Sequence, residues 1–169
     1  MISANVNRAL AKMDHIRALF SAKSAQIFAA TESWLTTSHT DDIVSINNCC
    51  LFRDDRSDGR VGGGVAVWVN NFLCPILFRT QGCPYGSNSI WLIFHSLKMC
   101  FVCLYLPPSS VISYSVEIIN FIVSNLDNLL SSLPEYRIFI TGDFNRICIR
   151  YLCEAFDLKN VVSEPTRGD

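Results

Sequence analysis

The chain has 169 residues, of which 50% are apolar and 17% charged, and its formal net charge is −1. That length allows one domain with a sizeable core, and the apolar and aromatic content excludes an intrinsically disordered chain. A net charge near zero also argues against a module that holds DNA through an overall basic field, although an enzyme of this charge can carry local arginines.

The first half of the chain predicts one helix followed by three strands. Apolar residues at helical spacing predict an amphipathic helix over residues 8–21. A short buried strand is expected at residues 27–31 and ends at Glu32. Two further strands, over residues 47–53 and 63–69, alternate in the manner of a hairpin and are separated by a polar loop.

The second half predicts two more strands, a long helix, another strand and a short helix. The strands cover residues 89–94 and 100–105, and the long helix runs over residues 118–133 and stops before Pro134. A continuous apolar strand follows at residues 137–141, with a short helix over residues 151–156. The order is not a regular βαβ repeat, and it predicts an α+β protein with two packed sheets flanked by helices.

The sequence predicts neither export nor a membrane span. Charged and polar groups run through the first twenty residues, unlike a signal peptide, and the most apolar stretch is interrupted by polar residues and ends in two prolines. The eight cysteines are therefore expected to be reduced thiols. Cys100 and Cys103 should face opposite sides of a strand, which argues against a redox pair or half of a zinc site.

Polar side chains stand where the predicted strands end: Asn5, Glu32, Tyr105, Asp143 and Asn145. The ends of several strands can converge on one mouth of a sandwich, where oxygen ligands could hold a divalent cation and a phosphate. Each residue alone also has a structural explanation, because Glu32 could cap a turn and Tyr105 could belong to the core. Their joint order along the chain is what favours a site.

Six segments, in order, resemble the endonuclease domain of non-LTR retrotransposons. They are NVNRALAK from Asn5, TESWL from Thr31, FRDDR with the following GGGVAV, YLPP from Tyr105, GDFN from Gly142 and EPTR from Glu164. Each segment alone is a weak signal, but together they cover nearly the whole chain in the family's order. The resemblance implies a four-layer α/β/β/α sandwich of the DNase I-like type, formed as one domain over residues 1–169 that lacks the family's last strands.

The resemblance also implies a metal-dependent phosphodiesterase that nicks DNA. Glu32, assisted by Asn5, would hold Mg²⁺ or Mn²⁺, both of which suit oxygen ligands. Asp143 would orient or deprotonate the attacking water. Asn145 and Tyr105 would donate hydrogen bonds to phosphate oxygens.

Two arginines and a glycine run accompany this set. Arg53 and Arg56 lie on a loop that resembles one near the family's DNA-binding face, and they either contact phosphates beside the nick or belong to a solvated loop. Residues 62–64 are three glycines with no Gly-Lys-Ser/Thr after them, so they predict close packing at a strand start rather than a phosphate loop.

The sequence departs from the family at its end, since family members continue to a terminal Ser-Asp-His, whereas this sequence stops at Asp169. Three functions therefore stay open: a DNA-nicking domain joined to a reverse transcriptase, a remnant that no longer turns over, and a phosphoesterase of the same scaffold acting on phosphoinositides or other phosphomonoesters. The TESWL and GGGVAV segments favour the retrotransposon branch over the third. The expected partner is DNA, and no membrane partner is expected. The protein is expected to be intracellular and to reach the nucleus for target cleavage.

Overall fold

The computed structural model describes residues 1–108 and 112–162, which form two four-stranded sheets. The first sheet contains β1 (Ile2–Asn5), β2 (Ile27–Thr31), β3 (Cys49–Asp54) and β4 (Val65–Asn70), in the spatial order β1-β2-β4-β3. β1 runs parallel to β2, whereas β4 is antiparallel to both of its neighbours. The hairpin of β3 and β4 confirms the pairing predicted from the alternating residues.

The second sheet contains β5 (Ile76–Leu77), β6 (Asn88–Phe94), β7 (Met99–Tyr105) and β8 (Arg137–Asp143), in sequence order. β6 is antiparallel to β5 and β7, and β8 is parallel to β7. β5 was not predicted from the sequence.

Helices supply the crossovers that parallel neighbours require. A 3₁₀ turn (Leu10–Lys12) and helix α1 (Met13–Ala22) join β1 to β2, and helix α2 (Ile112–Ser132) joins β7 to β8. A short helix α3 (Arg150–Ala155) follows β8. None of the described helices combines the length and the hydropathy that a bilayer crossing needs.

Three buried hydrophobic clusters fill the spaces between four layers. The first lies between α1 and the first sheet and includes Ile16, Phe20, Phe28 and Trp68. The second lies between the two sheets and includes Val67, Leu92 and Phe101. The third lies between the second sheet and α2 and includes Trp91, Val102, Ile118 and Ile122. The layers therefore follow the predicted α/β/β/α order.

The strand that carries Cys100 and Cys103 behaves as its period of two requires. Cys103 belongs to the cluster between the sheets, while Cys100 belongs to the cluster under α2, so the two thiols lie on opposite faces of β7. All eight cysteines are free. The expectation that Cys100 and Cys103 face opposite sides of the strand is confirmed.

Element boundaries differ from the predictions where the backbone turns left-handed. The first helix begins at Leu10 rather than residue 8, because Arg8 has a φ of 74°. β3 begins at Cys49 because Asn48 has a φ of 59°, and β4 begins at Val65, directly after the three glycines. α2 begins six residues before the predicted start at 118, since its first turns do not follow the apolar stripe on which the prediction rested.

Candidate active site

The parallel strand pairs bring the predicted site residues to one edge of the sandwich. In the first sheet Asn5 is paired with Thr31, so Asn5 and Glu32 stand at the carboxyl ends of neighbouring strands. In the second sheet Tyr105 is paired with Asp143, at the carboxyl ends of β7 and β8. Strands that run in the same direction end at the same edge, which is why residues far apart in sequence meet here.

Hydrogen bonds between side chains join the two sheets at this edge. The Asn5 Nδ2 group donates to Asp143 Oδ2 over 3.0 Å. Two residues earlier on each of the same strands, the Thr141 Oγ1 hydroxyl donates to Ser3 Oγ over 2.7 Å. Asn5 and Asp143 are therefore in direct contact.

The Glu32 carboxylate receives donors from three directions. Trp34 Nε1 donates to Glu32 Oε2 over 2.6 Å, and the backbone N–H of Gly63 donates to the same oxygen over 2.8 Å. The hydroxyl of Tyr105, which is 2% exposed as a residue, also bonds to this carboxylate. Glu32 itself has a φ of 55°, immediately after β2.

These contacts decide the charge of the Glu32–Tyr105 pair. Burial favours the neutral acid, but the hydrogen bonds from Tyr105, Gly63 and Trp34 and the charge of Arg56 outweigh it and lower the pKa of Glu32. Burial, together with the hydrogen bond to Glu32 and its negative charge, raises the pKa of Tyr105. At neutral pH Glu32 is therefore an anion and Tyr105 a protonated donor.

The turn after β8 holds Asp143 and Asn145 together. The Asn145 backbone N–H donates to Asp143 Oδ1 over 3.2 Å, and Asn145 Nδ2 donates to the Leu106 carbonyl over 2.6 Å. An amide Nδ2 carries two hydrogens, so Asn145 retains a second donor beyond the one bonded to Leu106. Asn5, Glu32, Tyr105, Asp143 and Asn145 thus come together, and their catalytic roles stay predictions.

The two predicted DNA-binding arginines occupy different positions. The Arg56 side chain is 8% exposed, pairs with Asp58 over 2.8 Å, and lies close enough to influence the pKa values of Glu32 and Tyr105. Arg53 is 14% exposed, and its guanidinium is bonded to Asp55 and Asp41. It also donates to the carbonyls of Thr36 and His39 in the loop after Glu32.

Arg56 is therefore part of the site's surroundings, whereas Arg53 ties down a loop. Both side chains are largely buried, so neither guanidinium is solvated in the way considered above. Contact of either arginine with DNA remains a prediction.

The three glycines permit close packing at the start of β4, as predicted, and this packing surrounds the Glu32 carboxylate. A methyl group at Gly64 would stand 2.6 Å from Ser33 Oγ, and one at Gly63 would stand 3.0 Å from the Tyr105 ring. The backbone N–H of Gly64 donates to Asn88 Oδ1 over 3.0 Å, which ties the glycine run to β6. Bulkier residues here would push the surrounding loops away from Glu32.

Two residues near Glu32 had no role in the sequence prediction. Trp34 donates to the Glu32 carboxylate, and the Arg8 guanidinium carbon lies 4.6 Å from the centre of the Trp34 ring. Trp34 sits two residues after Glu32 and Arg8 three residues after Asn5, so their closeness to predicted site residues was a signal available in the sequence. The EPTR segment at 164–167 lies outside the described residues.

The donors at this edge are carboxylate and amide oxygens, which hard divalent cations prefer. Across residues 1–108 and 112–162 no group of three or more His, Cys, Asp or Glu side chains is placed to hold a metal ion. Mg²⁺ commonly uses only one or two carboxylates and keeps several waters, so the ionised Glu32 and the Asn5 amide oxygen fit such an ion.

Comparison with known proteins addresses the fold. No protein-family model matches the sequence, and no curated protein matches it. Among solved structures, the 3′-5′ exonuclease NExo from Neisseria meningitidis aligns with a TM-score of 0.63 at 13% identity, over 85% of this chain and 56% of that one. The human Nocturnin catalytic domain with bound sulfate aligns with a TM-score of 0.60 at 11% identity, over 84% of this chain and 62% of that one.

An AP endonuclease from Archaeoglobus fulgidus aligns with a TM-score of 0.53 at 12% identity, over 85% of this chain and 57% of that one. The chain thus spans a little over half the length of these structures. At such identities the similarity concerns the fold, which is the DNase I-like α+β sandwich shared by these exonucleases, endonucleases and phosphatases.

Proposed function

We propose that this chain is a metal-dependent phosphodiesterase that nicks DNA, and that it is the endonuclease domain of a non-LTR retrotransposon. The observation that carries the proposal is the meeting of Asn5, Glu32, Tyr105, Asp143 and Asn145 at one edge of a DNase I-like sandwich. The retrotransposon branch rests on the TESWL and GGGVAV segments of the sequence.

Glu32 and Asn5 are the residues that would hold Mg²⁺ or Mn²⁺. When bound, the ion supplies positive charge against the phosphate and the leaving oxygen. Glu32 is suited to this task because its lowered pKa keeps it ionised at neutral pH. Asn5 can use its Nδ2 group to orient Asp143 while its Oδ1 atom stays available as a ligand.

Asp143 is the base that would take a proton from the attacking water as the water oxygen bonds to phosphorus. The bond between phosphorus and the leaving oxygen breaks in the same displacement, and a proton from solvent completes the new hydroxyl. Asn5 and the backbone N–H of Asn145 each donate to one Asp143 oxygen, so they fix the orientation of the carboxylate. A fixed base needs no reorganisation at the moment of reaction.

Tyr105 and Asn145 are the donors that would meet the phosphate oxygens. Tyr105 keeps its proton because burial and Glu32 raise its pKa, so its hydroxyl can turn from Glu32 to a phosphate oxygen. Asn145 offers its second amide hydrogen. Hydrogen-bond donors held beside the phosphate stabilise charge as it develops there, and such stabilisation supplies much of the rate of enzymes of this kind.

The expected substrate is a DNA duplex at a target site, and the expected covalent partner is a reverse transcriptase domain of the same polyprotein. Cleavage of chromosomal DNA would place the active protein in the nucleus. A solved relative of this fold, the Neisseria 3′ phosphatase NExo, was captured with a product DNA hairpin, which supports a nucleic-acid substrate for this scaffold.

A supercoiled-plasmid assay with Mg²⁺ tests the proposal. Conversion to the nicked circle is expected for the unaltered chain and is expected to fall at least 10²-fold, on the order of a lost catalytic group, in Glu32→Ala and Asp143→Ala. Glu135→Ala is the matched control, since Glu135 is an exposed carboxylate paired with Lys98 at the opposite end of β8. Equal background nicking by the unaltered chain and all three variants would refute the proposal of an enzyme, and the hypothesis of an inactive remnant would be left.

A further inference from the structure

The Arg8–Trp34 pair is a guanidinium resting on an indole at the rim of the candidate active site. The Arg8 guanidinium carbon is 4.6 Å from the Trp34 ring centre, which is within the range of a cation–π contact. The indole N–H of the same tryptophan donates to Glu32 Oε2 over 2.6 Å. The cation is therefore one side chain away from the predicted metal ligand.

The backbone fixes this pair firmly. The Arg8 N–H donates to the Glu32 carbonyl over 3.0 Å, and the Ala9 N–H donates to the Ser33 carbonyl over 2.9 Å. The Trp34 N–H donates in turn to the Gly63 carbonyl over 3.0 Å. Arg8 and Trp34 have φ values of 74° and 53°, which are uncommon for residues with side chains and persist where the surroundings determine them.

Arg8 differs from the other arginines near the site in its charge balance. Arg53 pairs with Asp55 and Arg56 pairs with Asp58, so a carboxylate neutralises each guanidinium. Arg8 is exposed, and no carboxylate of the described residues forms an ion pair with it. Its positive charge is therefore available to an anion from solution.

The chemistry of that anion follows from the donor. A guanidinium presents a planar fork of N–H groups that matches two phosphate oxygens, and stacking on the indole holds the plane of the fork in place. A site that cleaves one phosphodiester of a polymer has further phosphates on either side of the one that reacts, so a fixed cation at its rim meets a neighbouring phosphate.

We propose that Arg8, held on the face of Trp34, binds a backbone phosphate of the DNA strand next to the phosphate that is cleaved. The inference rests on the proposed function in taking DNA as the ligand. Arg8 is a substrate-positioning residue, because it contacts the strand away from the reacting atoms. Its contribution is independent of base sequence, since phosphate carries no sequence information.

Binding to a short fluorescein-labelled duplex, measured by anisotropy in EDTA so that no cleavage occurs, tests the proposal. Between about 50 and 200 mM salt, Arg8→Ala is expected to lower the slope of log affinity against log salt by about 0.9 and to weaken binding about five- to tenfold near 0.1 M. The loss should be the same for duplexes of unrelated sequence.

Arg137→Ala is the matched control, because it removes the same charge from an exposed position at the opposite end of β8. It should leave the slope and the affinity unchanged. Arg8→Lys retains the charge but not the fork, so it is expected to keep the slope while losing part of the affinity, and it covers the case in which the alanine variant does not fold.

Arg8→Ala with an unchanged slope, or with a change equal to that of Arg137→Ala, would overturn the proposal, as would an unaltered chain that does not bind the duplex. The plasmid-nicking assay and this binding assay test the two proposals independently. If binding depends on Arg8 but the plasmid is not nicked, only the proposed catalytic function is refuted. If the plasmid is nicked but binding does not depend on Arg8, only the proposed phosphate contact is refuted.

Discussion

A methyl group added at Gly142 would stand 1.9 Å from the backbone carbonyl oxygen of Leu104 on the neighbouring strand. Gly142 also has a φ of 138°, a conformation that L side chains rarely adopt. The backbone strain alone costs about 1–3 kcal/mol, and the clash must separate β7 from β8, so Gly142→Ala is expected to lose about 3–5 kcal/mol of unfolding free energy. Since small domains are stable by about 5–15 kcal/mol, a large share of the total would be lost.

Two other glycines separate the contributions of backbone strain and clash. Gly59 has a φ of 77° and nothing within 4 Å of an added methyl group, so Gly59→Ala should cost only the strain, about 1–2 kcal/mol. Gly82 also has nothing within 4 Å and lies outside the left-handed region. Gly82→Ala should therefore be neutral or stabilising by up to about 1 kcal/mol, because alanine restricts the unfolded chain.

Urea unfolding followed by tryptophan fluorescence measures all three changes, since the buried Trp68 and Trp91 report on separate clusters. The urea concentration at the unfolding midpoint is expected to be highest for Gly82→Ala, lower for Gly59→Ala and lowest for Gly142→Ala. Equal midpoints for Gly59→Ala and Gly142→Ala would refute the reasoning, because the contact with Leu104 would then carry no cost.

Three further outcomes are expected. Arg53→Ala should lower the urea midpoint by the equivalent of about 2–3 kcal/mol, since it leaves the partly buried Asp55 carboxylate and the His39 carbonyl without their donor. The exposed Arg79→Ala should not lower it, and equal midpoints would contradict this expectation. Tyr105→Phe should slow plasmid nicking on the order of 10²-fold with the exposed Tyr151→Phe unaffected, and equal rates would remove the phosphate-donor role. Burial raises the pKa of Cys103 to about 12, so the protonated thiol stabilises the folded chain fully below the ordinary thiol pKa, and this stability is lost as pH rises towards 12. Between neutral and alkaline pH, the urea midpoint should therefore fall further for the unaltered chain than for Cys103→Ala. Equal falls in the two proteins would contradict this expectation.

Patterns of apolar residues in the sequence were enough for the main regular elements. The apolar stripe of α2 records the face that meets a core, and the nearly continuous apolar runs of β4 and β7 indicate strands buried on both faces, so the type and approximate position of these elements were predictable. The strand-end argument for Glu32 and Asp143 succeeded for a related reason, because parallel pairing places strand ends together wherever it occurs.

Features that depend on contacts between distant segments were not predictable in this way. β5 has two exposed residues and exists because of its pairing with β6. Arg53 was predicted to contact DNA or solvent, whereas its partners are loop carbonyls and carboxylates whose positions the local sequence does not encode. The stacking of Arg8 on Trp34 likewise requires two left-handed turns that only the folded chain reveals.

The hydrogen bond between Asn5 and Asp143 joins residues 138 positions apart. During synthesis the first of them leaves the ribosome long before the second exists, and loop closure over such a distance is slow compared with forming the hairpins between them. This bond therefore cannot form before β8 has been made. A partly made chain that ends before Asp143 cannot contain this contact, so under the proposed function the base and its orienting amide require a chain synthesised through β8.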